Sequence, residues 1–382
     1  MKSSKDSKIN IAHIITGLGI GGAEIYLRMM LIKLDKKKYN HYVYFFNCSR
    51  DHQADSLLTY GINVKCLDFP SRFDLRRFFT IYRHLKSDSI DIVHSHLPVI
   101  SIYTRILCFF LCVPVIYTEH NEWVRYNPIT SLVNKLTYKL NSKIIAVSQE
   151  VYESISISNK ENIITLNNAI DPLDLHIKAK NFSRELFLKH LNITDNNFIV
   201  GSVGNYTPKK NHQLLIKSFA NFLKKYSVTN AYLVIVGQLY GKQSELESLA
   251  HTHNIYSKLI LIDGVDSAFK FIKHFDVFAL SSLYEGLPIT LLEAMSFSRP
   301  IISTPAGGIS SVITSGIDGL LADYDIDDYS DALNTLYTDK KYRLQLGKSA
   351  YSNVTNNYSL DSAAIKLEEI YDQLFNVGVK NS

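Results

Sequence analysis

The sequence contains little cysteine and only one tryptophan. Its 382 residues include four Cys and nine Pro. The cysteines show no spacing typical of a metal site or a disulfide framework; they are Cys48, Cys66, Cys108 and Cys112. We expect Cys108 and Cys112, which share a face of one predicted helix, to lie in the core. The scarcity of cysteine therefore disfavours a small secreted fold held by disulfides.

Long apolar runs are also missing. The longest apolar stretch, residues 99–117, is interrupted by Arg105 and Pro114, which predicts a buried helix and a strand rather than a membrane span. The apolar run near the N-terminus is only as long as a strand, and no cleavage-site pattern follows it. We therefore predict a cytoplasmic protein without a signal peptide.

The charge is distributed unevenly. Residues 1–176 contain 21 Lys and Arg against 16 Asp and Glu, whereas residues 177–382 contain 20 of each. The whole net charge of +5 is thus in the first half. A solvated surface is the ordinary explanation. The more specific explanation is that the first domain faces an anionic membrane surface or an acidic acceptor. We expect no nucleic-acid partner.

Strand and helix signals alternate along both halves of the chain. Short apolar runs predict strands, and amphipathic segments between them predict helices. This alternation is typical of an α/β fold with a doubly wound parallel sheet. The rhythm begins at residue 9 and restarts at residue 198. Together with the length, this predicts two such domains.

The strongest functional signal lies in residues 281–297. Glu285 follows a short apolar run that predicts a buried strand, and Glu293 comes about two helical turns after Glu285, in a helix predicted to start at Ile289. Open α/β sheets bind ligands at the carboxyl ends of their strands. The first amides of the helix, at Ile289 and Thr290, suit an anion such as phosphate. Two carboxylates at this spacing suit sugar hydroxyls, so the stretch predicts a nucleotide-sugar site. Two solvated glutamates are the ordinary alternative.

This stretch resembles the E-x7-E motif of retaining glycosyltransferases of family 4, which have the GT-B fold. The matching residues are Glu285-Gly286-Leu287-Pro288 and Leu291-Leu292-Glu293-Ala294-Met295. The resemblance implies two Rossmann-like, doubly wound domains that face each other across a cleft. It also implies that Glu293 binds the ribose hydroxyls and Glu285 the donor sugar, with Gly286, Leu287, Ile289 and Thr290 beside the donor. Retention in this family is thought to need no protein nucleophile.

The same resemblance implies the domain limits. Asn168-Ala169-Ile170-Asp171 is similar to the N-G-I-D segment that links the two domains of the family. We predict an acceptor-binding domain at 1–176, a nucleotide-sugar-binding domain at 177–357, and a last helix within 358–382 that returns to the first domain.

A glycine-rich loop follows the first predicted strand. Gly17, Gly19 and Gly22 satisfy G-x-G-x-x-G, but the second strand ends at Asn47 without the acidic residue that a nicotinamide dinucleotide site requires. In the resembled family, Gly21 and Gly22 approach the donor phosphates and sugar, because glycine permits close backbone contact.

Three histidines end two neighbouring strands. His94 and His96 have a spacing that suits a metal, but no third ligand is evident from the sequence. His120 closes the next strand, and the resembled family places a histidine beside the donor sugar there. We therefore predict an active-site role for His120, and Glu119 and His96 are weaker candidates.

The leaving diphosphate requires cations or amide dipoles. In the resembled family an Arg follows the glycine and a Lys comes five residues later. Lys210 matches this Lys, whereas Asn205 replaces the Arg, so Lys209 or the amides of the predicted helix must share its work. The motif D-x-D at 323–325 lies in an acidic surface run, and we interpret it as no metal-binding site. The resemblance implies no metal and no other cofactor.

Together these features predict a metal-independent hexosyltransferase that moves a sugar from a nucleotide-diphosphate donor, with UDP expected. The predicted acceptor is a hydroxyl of a glycan or lipid-linked molecule in bacterial surface-polysaccharide synthesis. A UDP-sugar 2-epimerase of similar fold and a non-catalytic nucleotide-sugar binder remain as alternatives.

Overall fold

The computed structural model describes residues 8–68, 76–265 and 267–380. The chain divides into two compact units: unit 1 comprises Met1–Asn168 with Leu360–Ser382, and unit 2 comprises Ala169–Ser359. This boundary precedes the predicted one at residues 176 and 177. The ends of the predicted domain ranges, residues 1–7 and 381–382, lie outside the described residues.

Unit 1 is built on a parallel sheet. Its strands are β1 (Ile9–Ile15), β2 (Tyr39–Phe45), β3 (Asn63–Cys66), β4 (Ile92–His96), β5 (Val115–Glu119), β6 (Lys143–Ala146) and β7 (Ile163–Thr165). They are hydrogen-bonded in the order β3-β2-β1-β4-β5-β6-β7. The central strands are buried along their whole length, as is typical of a parallel sheet covered on both faces.

Helices connect the strands of unit 1. They are α1 (Gly22–Lys33), α2 (Ala54–Thr59), α3 (Arg76–Ser87), α4 (Pro98–Leu111), α5 (Pro128–Thr137) and α6 (Gln149–Ser154). Pro98 begins α4, where its missing amide hydrogen has no helical partner to lose. Asn127 caps α5 by accepting a hydrogen bond from the amide of Thr130.

Unit 2 repeats this plan. Its strands are β8 (Phe198–Val203), β9 (Ala231–Gly237), β10 (Leu259–Asp263), β11 (Val277–Leu280), β12 (Ile301–Ser303) and β13 (Leu320–Leu321). All neighbours are parallel, in the order β10-β9-β8-β11-β12-β13. Two doubly wound parallel sheets are therefore present, which confirms the predicted α/β fold class.

The helices of unit 2 cover its sheet. They are α7 (Pro172–Lys178), α8 (Arg184–Leu191), α9 (His212–Lys225), α10 (Gln243–Thr252), α11 (Phe269–Ile272), α12 (Ile289–Ser296), α13 (Ile309–Val312), α14 (Ile326–Thr338) and α15 (Lys340–Asn357). Asn211 caps α9 and Asp339 caps α15 through their side chains. The core forms where the apolar faces of α9 and α14 meet the sheet, around Phe219, Phe222 and Leu333.

The last helix, α16 (Leu360–Lys380), belongs to unit 1. Tyr371 is fully buried, and its hydroxyl lies 2.8 Å from Nδ1 of His94. Tyr39 donates a hydrogen bond to Asp372 at 2.7 Å, and Lys33 pairs with Asp361 at 2.9 Å. These contacts attach α16 to α1 and to the first strands.

Two cysteine predictions are wrong. Cys48 and Cys66 form a disulfide, because they follow β2 and end β3, which are neighbours and finish at the same edge of the sheet. Cys108 is buried as predicted, but Cys112 is exposed, because α4 ends at Leu111 and Cys112 adopts a left-handed conformation. In the described part of the chain, no helix is both long and apolar enough to cross a membrane.

Candidate active site

The candidate site of unit 2 lies where β8 and β11 end. These strands are neighbours in the sheet, and the chain leaves them toward opposite sides, so this is the point where the strand order reverses. Ligands of doubly wound sheets bind at such points. The loop after β8 contains Lys209 and Lys210, and the loop after β11 contains Glu285.

Glu285 and the two lysines form a compact charged cluster. The carboxylate of Glu285 is 5% exposed, and its Oε1 lies 2.7 Å from Nζ of Lys210. Its other oxygen, Oε2, lies 3.5 Å from Nζ of Lys209. Ser282 donates a further hydrogen bond to Oε1 at 2.8 Å. Two cations thus surround one anion, which leaves net positive charge at the end of β8.

The pKa of Glu285 reflects these neighbours. Burial by itself would raise this pKa, because it penalises the charged form. The charges of Lys210 and Lys209, together with hydrogen bonds from Lys210 and Ser282, lower it instead to about 2. The carboxylate is therefore ionised throughout the physiological range, which suits an acceptor of sugar hydroxyl hydrogen bonds and does not suit a general acid.

Backbone hydrogen bonds fix the two loops against each other. The amide of Leu283 donates to the carbonyl of Lys209 at 2.7 Å, and the hydroxyl of Ser281 donates to the carbonyl of Lys210 at 2.9 Å. A Cβ on Gly204 would lie 3.0 Å from Cε of Lys210, so the glycine leaves space for the lysine stem. The cations are thus held by rigid elements before any ligand binds.

The start of α12 presents free backbone donors. Pro288 precedes the helix and its side chain provides no cap, so the first amides, at Ile289 and Thr290, remain available for an anion. The hydroxyl of Thr290 is buried without a hydrogen-bond partner among the described residues. Glu293 lies one turn further along α12 and is 6% exposed. Gly286 and Leu287, which precede the helix, are buried.

Asn205 is held by the neighbouring strand end. Its Oδ1 accepts a hydrogen bond from the amide of Gln238 at 3.1 Å, and its Nδ2 lies 3.4 Å from the hydroxyl of Tyr240. The side chain that replaces the expected arginine therefore connects the loop after β8 to the loop after β9.

The D-x-D text at 323–325 is part of a helix cap. Asp325 precedes α14 and accepts hydrogen bonds from the amides of Asp327 and Asp328. Asp328 in turn accepts a hydrogen bond from the amide of Asp323. These carboxylates stabilise the start of the helix.

In unit 1, the glycine loop leads directly into α1. Gly21 is the N-cap residue, and a Cβ at this position would collide with the carboxylate of Glu24, which folds back over it. Gly22 begins the helix and is exposed. Burial raises the pKa of Glu24, while its backbone hydrogen bond and the charge of Arg50 oppose this shift.

His120 follows β5 directly. Its Nε2 is buried without a hydrogen-bond partner among the described residues, and burial lowers its pKa to about 4. The neighbouring Glu119 is fully buried and accepts hydrogen bonds from Tyr117, Tyr126 and the indole of Trp123, the last at 2.8 Å. Glu119 therefore anchors the loop that carries His120, and it is not available to a substrate.

Two family models match most of the chain. The family of glycosyl transferases group 1 matches residues 183–353, and Glycosyltransferase Family 4 matches residues 20–172. The chain belongs to the group 1, family 4 glycosyltransferases. The predicted family is thus confirmed.

Named relatives cover most of this glycosyltransferase. The UDP-Gal:alpha-D-GlcNAc-diphosphoundecaprenol alpha-1,3-galactosyltransferase of Escherichia coli is 24% identical, over 97% of this chain and 98% of its own. The capsular polysaccharide biosynthesis glycosyltransferase CapH of Staphylococcus aureus is 27% identical, over 78% and 81%. The crystal structure of Anabaena HepE with UDP-glucose superposes with a TM-score of 0.85 at 17% identity, covering 96% of this chain and all of HepE. The last similarity shows the fold.

Two residues of the candidate site have a weak signal in the sequence or none. Ser282, which holds Glu285, gave no signal, because a serine three residues before a glutamate is common in loops. Lys209 was named only as a possible substitute for the missing arginine, yet it is one of the two cations at Glu285. The doubled lysine directly after Pro208 is the signal that indicated it.

Proposed function

We propose that this protein is a retaining glycosyltransferase that moves a sugar from a UDP-linked donor to a hydroxyl of a glycan or lipid-linked acceptor in bacterial surface-polysaccharide synthesis. The observation that carries the proposal is the buried Glu285 between Lys210 and Lys209 at the strand-order reversal of unit 2. A relative named for transfer from UDP-Gal to a diphosphoundecaprenol-linked sugar, and a neighbour solved with UDP-glucose, support it.

In this proposal, unit 2 supplies the charge that the leaving group needs. The departing diphosphate develops negative charge, and fixed cations and helix amides stabilise it most effectively when they are already in position. Lys210, Lys209 and the amides of Ile289 and Thr290 fill this role, and they compensate for the neutral Asn205. Because these groups are held by the loops described above, little reorganisation is needed when the donor binds.

The two carboxylates and the histidine bind the ribose and the sugar of the donor. Glu293 accepts hydrogen bonds from the ribose, and the ionised Glu285 accepts them from the donor sugar, beside Gly286 and Leu287. Neither acts as a nucleophile, and attack occurs on the face from which the phosphate leaves. We further propose that His120, neutral at physiological pH, contacts the donor sugar, and that Gly21 and Gly22 approach its phosphates.

The proposed transfer requires no metal. The side chains of Lys209 and Lys210, beside Glu285, supply positive charge for the diphosphate in place of a metal ion. Activity should persist in excess EDTA at a temperature where circular dichroism shows an intact fold. Loss of activity that manganese restores, with the fold unchanged, would contradict this part of the proposal.

One assay tests the reaction class. The protein is incubated with labelled UDP-sugar, with and without a lipid-linked acceptor. The proposal expects labelled acceptor with the anomeric configuration of the donor retained. A changed sugar without acceptor would indicate the 2-epimerase, inverted product would refute retention, and bound but unchanged donor would indicate a non-catalytic binder.

We also propose that unit 1 associates with an anionic membrane surface at the cytoplasmic face. Helix α5 exposes apolar side chains to solvent: Ile129, Leu132 and Leu136 are 76%, 59% and 64% exposed. Its inner face is polar instead, since Asn134 and Thr137 bind the buried Arg105. Leu132 and Leu136 thus lie on an exposed face of the helix and do not pack on the sheet.

Neighbouring side chains extend this surface. Helix α4 packs against α5 and exposes Phe109 and Phe110, at 62% and 76%. Lys135 and Lys139 are exposed beside the apolar stripe, which suits anionic headgroups.

Vesicle flotation tests the surface. Wild type should float with anionic vesicles and much less with neutral ones, and Leu132→Ser with Leu136→Ser should abolish flotation. Leu344→Ser, which removes an equally exposed leucine from unit 2 (52% exposed), is the matched control. Equal, negligible flotation of wild type with both lipids would refute the proposal.

A further inference from the structure

Unit 1 has a cluster of histidines inside it. His13 on β1 is in register with His94 on β4, and His96 lies two residues further on the same face of the sheet. His41 on β2 joins them, with its Nδ1 3.1 Å from Nε2 of His13. His120 follows with its ring centre 5.8 Å from that of His96.

Three of these side chains are arranged around a common point. His13, His94 and His96 each direct a ring nitrogen so that the three atoms lie within 4.8 Å of one another. All three side chains are buried. The rings of His94 and His96 are stacked with centres 4.4 Å apart, and the ring of His13 lies 5.4 Å from that of His94.

Several nitrogens of the cluster lack hydrogen bonds. Both ring nitrogens of His96 and Nδ1 of His13 are buried without a partner among the described residues. Buried polar atoms are almost always satisfied, so unsatisfied ones at one place indicate a missing water or ion. The adjoining cavity measures about 20 Å³, which holds a single water-sized species.

The outer contacts of the ligands are of the kind that metal sites use. His41 holds Nε2 of His13, so Nδ1 is the nitrogen left for a ligand. The hydroxyls of Thr118 and Tyr371 lie 2.7 and 2.8 Å from the two ring nitrogens of His94. A metal would replace one of these hydrogen bonds, and the other would still orient the ring. Neither ring nitrogen of His96 has a hydrogen bond to a described residue, so a metal would break none there.

The protonation state also fits. Burial, with the charges of neighbouring histidines, lowers the pKa of His13 and of His96 well below the ordinary value. The same causes lower the pKa of His94 to about 3. The three imidazoles are therefore neutral at physiological pH, and a neutral imidazole is the form that binds transition metals.

We propose that His13, His94 and His96 form a binding site for a divalent transition metal of the Zn²⁺ type, with a water molecule from the cavity as fourth ligand. Three imidazoles and a water form a complete tetrahedral set for this ion, and imidazole ligands favour Zn²⁺ and its neighbours over Mg²⁺ or Ca²⁺. The site belongs to unit 1 and is independent of the Glu285 cluster of unit 2. Its expected role is to stabilise unit 1, where His94 also contacts Tyr371 of α16.

The first test uses wild type without an affinity tag, stripped with a chelator and then dialysed. Titration with Zn²⁺ should show one ion per chain, and X-ray absorption should show nitrogen ligands at about 2.0–2.1 Å. Co²⁺ should give the intense visible bands of a tetrahedral site, and Zn²⁺ should raise the melting temperature. Absence of stoichiometric binding to wild type overturns the proposal and leaves an ordered water as the occupant.

The second test uses variants. His96→Gln breaks no hydrogen bond within the described residues and should weaken Zn²⁺ binding by more than about 100-fold, beyond the loss typical of an outer-shell change. His13→Gln should do the same. His212→Gln is the matched control, because His212 is a buried histidine of unit 2 with an unpartnered Nδ1. If His212→Gln weakens binding as much, or if both cluster variants retain it, the assignment is wrong. Circular dichroism confirms that each variant is folded.

Discussion

The two units share a doubly wound sheet but differ in the polar groups that they bury. Unit 2 places one carboxylate between two cations at the end of its strands. Unit 1 places neutral histidines along its central strands, and several of their nitrogens have no hydrogen-bond partner in the part of the chain that the structure describes. The same architecture thus carries a charged cluster of two cations and one anion in unit 2 and an uncharged histidine cluster in unit 1.

This difference shows that the fold leaves the chemistry open. Opposite charges at a strand end stay ionised because each stabilises the other, and they are ready to exchange partners with an anionic ligand. Imidazoles between strands and helices stay neutral because burial penalises their charged form. Unit 2 is therefore prepared for phosphate and sugar groups, and unit 1 for a ligand that seeks neutral nitrogen.

Acid should destabilise unit 1 before unit 2, because it charges the histidines of unit 1. Burial lowers the pKa of His41 and His94 to about 3 and that of His120 to about 4. Their folded pKa values lie below the unfolded value, so the unfolded chain binds more protons as the pH falls below about 6.5. Their contribution to stability is complete above that pH and is lost progressively toward pH 3.

Unit 2 should resist acid longer, because among the described residues fewer of its histidines have a lowered pKa: burial lowers the pKa of His212 to about 4 and also lowers that of His274. Glu285 has a lowered pKa of about 2, so its contribution is lost only between about pH 4.5 and 2. Within unit 1, the raised pKa values of Glu24 and Glu119 oppose the histidines, but they are fewer. Trp123, the single tryptophan, reports on unit 1. Its fluorescence should change between about pH 6.5 and 4, while the circular dichroism of the helices still shows folded protein. If the fluorescence changes only below pH 4, unit 1 does not unfold before unit 2.

Lys210→Ala should cause the largest loss of activity in unit 2. It removes the contact at 2.7 Å from Glu285 and a cation of the proposed leaving-group site. We expect kcat to fall by about 10²–10³-fold, as when one donor to a developing anion is removed. Lys209→Ala is the matched control, since Lys209 lies 3.5 Å away and is more exposed. Equal losses in both variants would show that the two lysines are interchangeable.

The two glutamates should separate binding from turnover. Glu293→Ala should raise the donor KM by the equivalent of about 1.5–3 kcal/mol, because it removes a charged partner of the ribose. Glu285→Ala should instead lower kcat, because it positions the reacting sugar. Steady-state kinetics with varied donor measure both. Near-normal kinetics in both variants would remove the site assignment.

Asn205→Arg should have the smallest effect. A guanidinium beside the diphosphate should strengthen UDP binding by about 1 kcal/mol, the gain of a charge-assisted over a neutral hydrogen bond. It also removes the acceptor for the amide of Gln238, so the melting temperature should fall slightly. Calorimetry with UDP and GDP measures the affinity. An unchanged affinity for both would show that position 205 does not face the phosphates.

Much of the fold was predictable because local signals agreed with burial. The strand Phe198–Val203 and the start of α12 at Ile289 lie where the apolar runs and Pro288 predicted them. Glu285 and Lys210 were both named from the sequence, and the structure brings them together. Both residues lie in loops that follow strands with a clear apolar signal.

The rest depended on contacts between distant segments. His13 was missed as a partner of His94 and His96, because its proximity comes from the pairing of β1 with β4 across eighty residues. Cys48 and Cys66 likewise meet only because β2 and β3 are neighbours. The exposure of the apolar side of α5 likewise depends on a distant residue, because the buried Arg105 binds the polar side of the helix.

The position of α16 has a consequence for how the chain folds during synthesis. The segment that forms unit 2, Ala169–Ser359, is synthesised in full before Leu360 is added to the chain. Unit 1 begins first, yet it lacks Tyr371 and Asp372 until nearly the whole chain has emerged. The unit translated first is thus the last that can close. Until then, its histidine-lined strands remain uncovered on the side where α16 binds, which is the state that a folding chaperone would encounter.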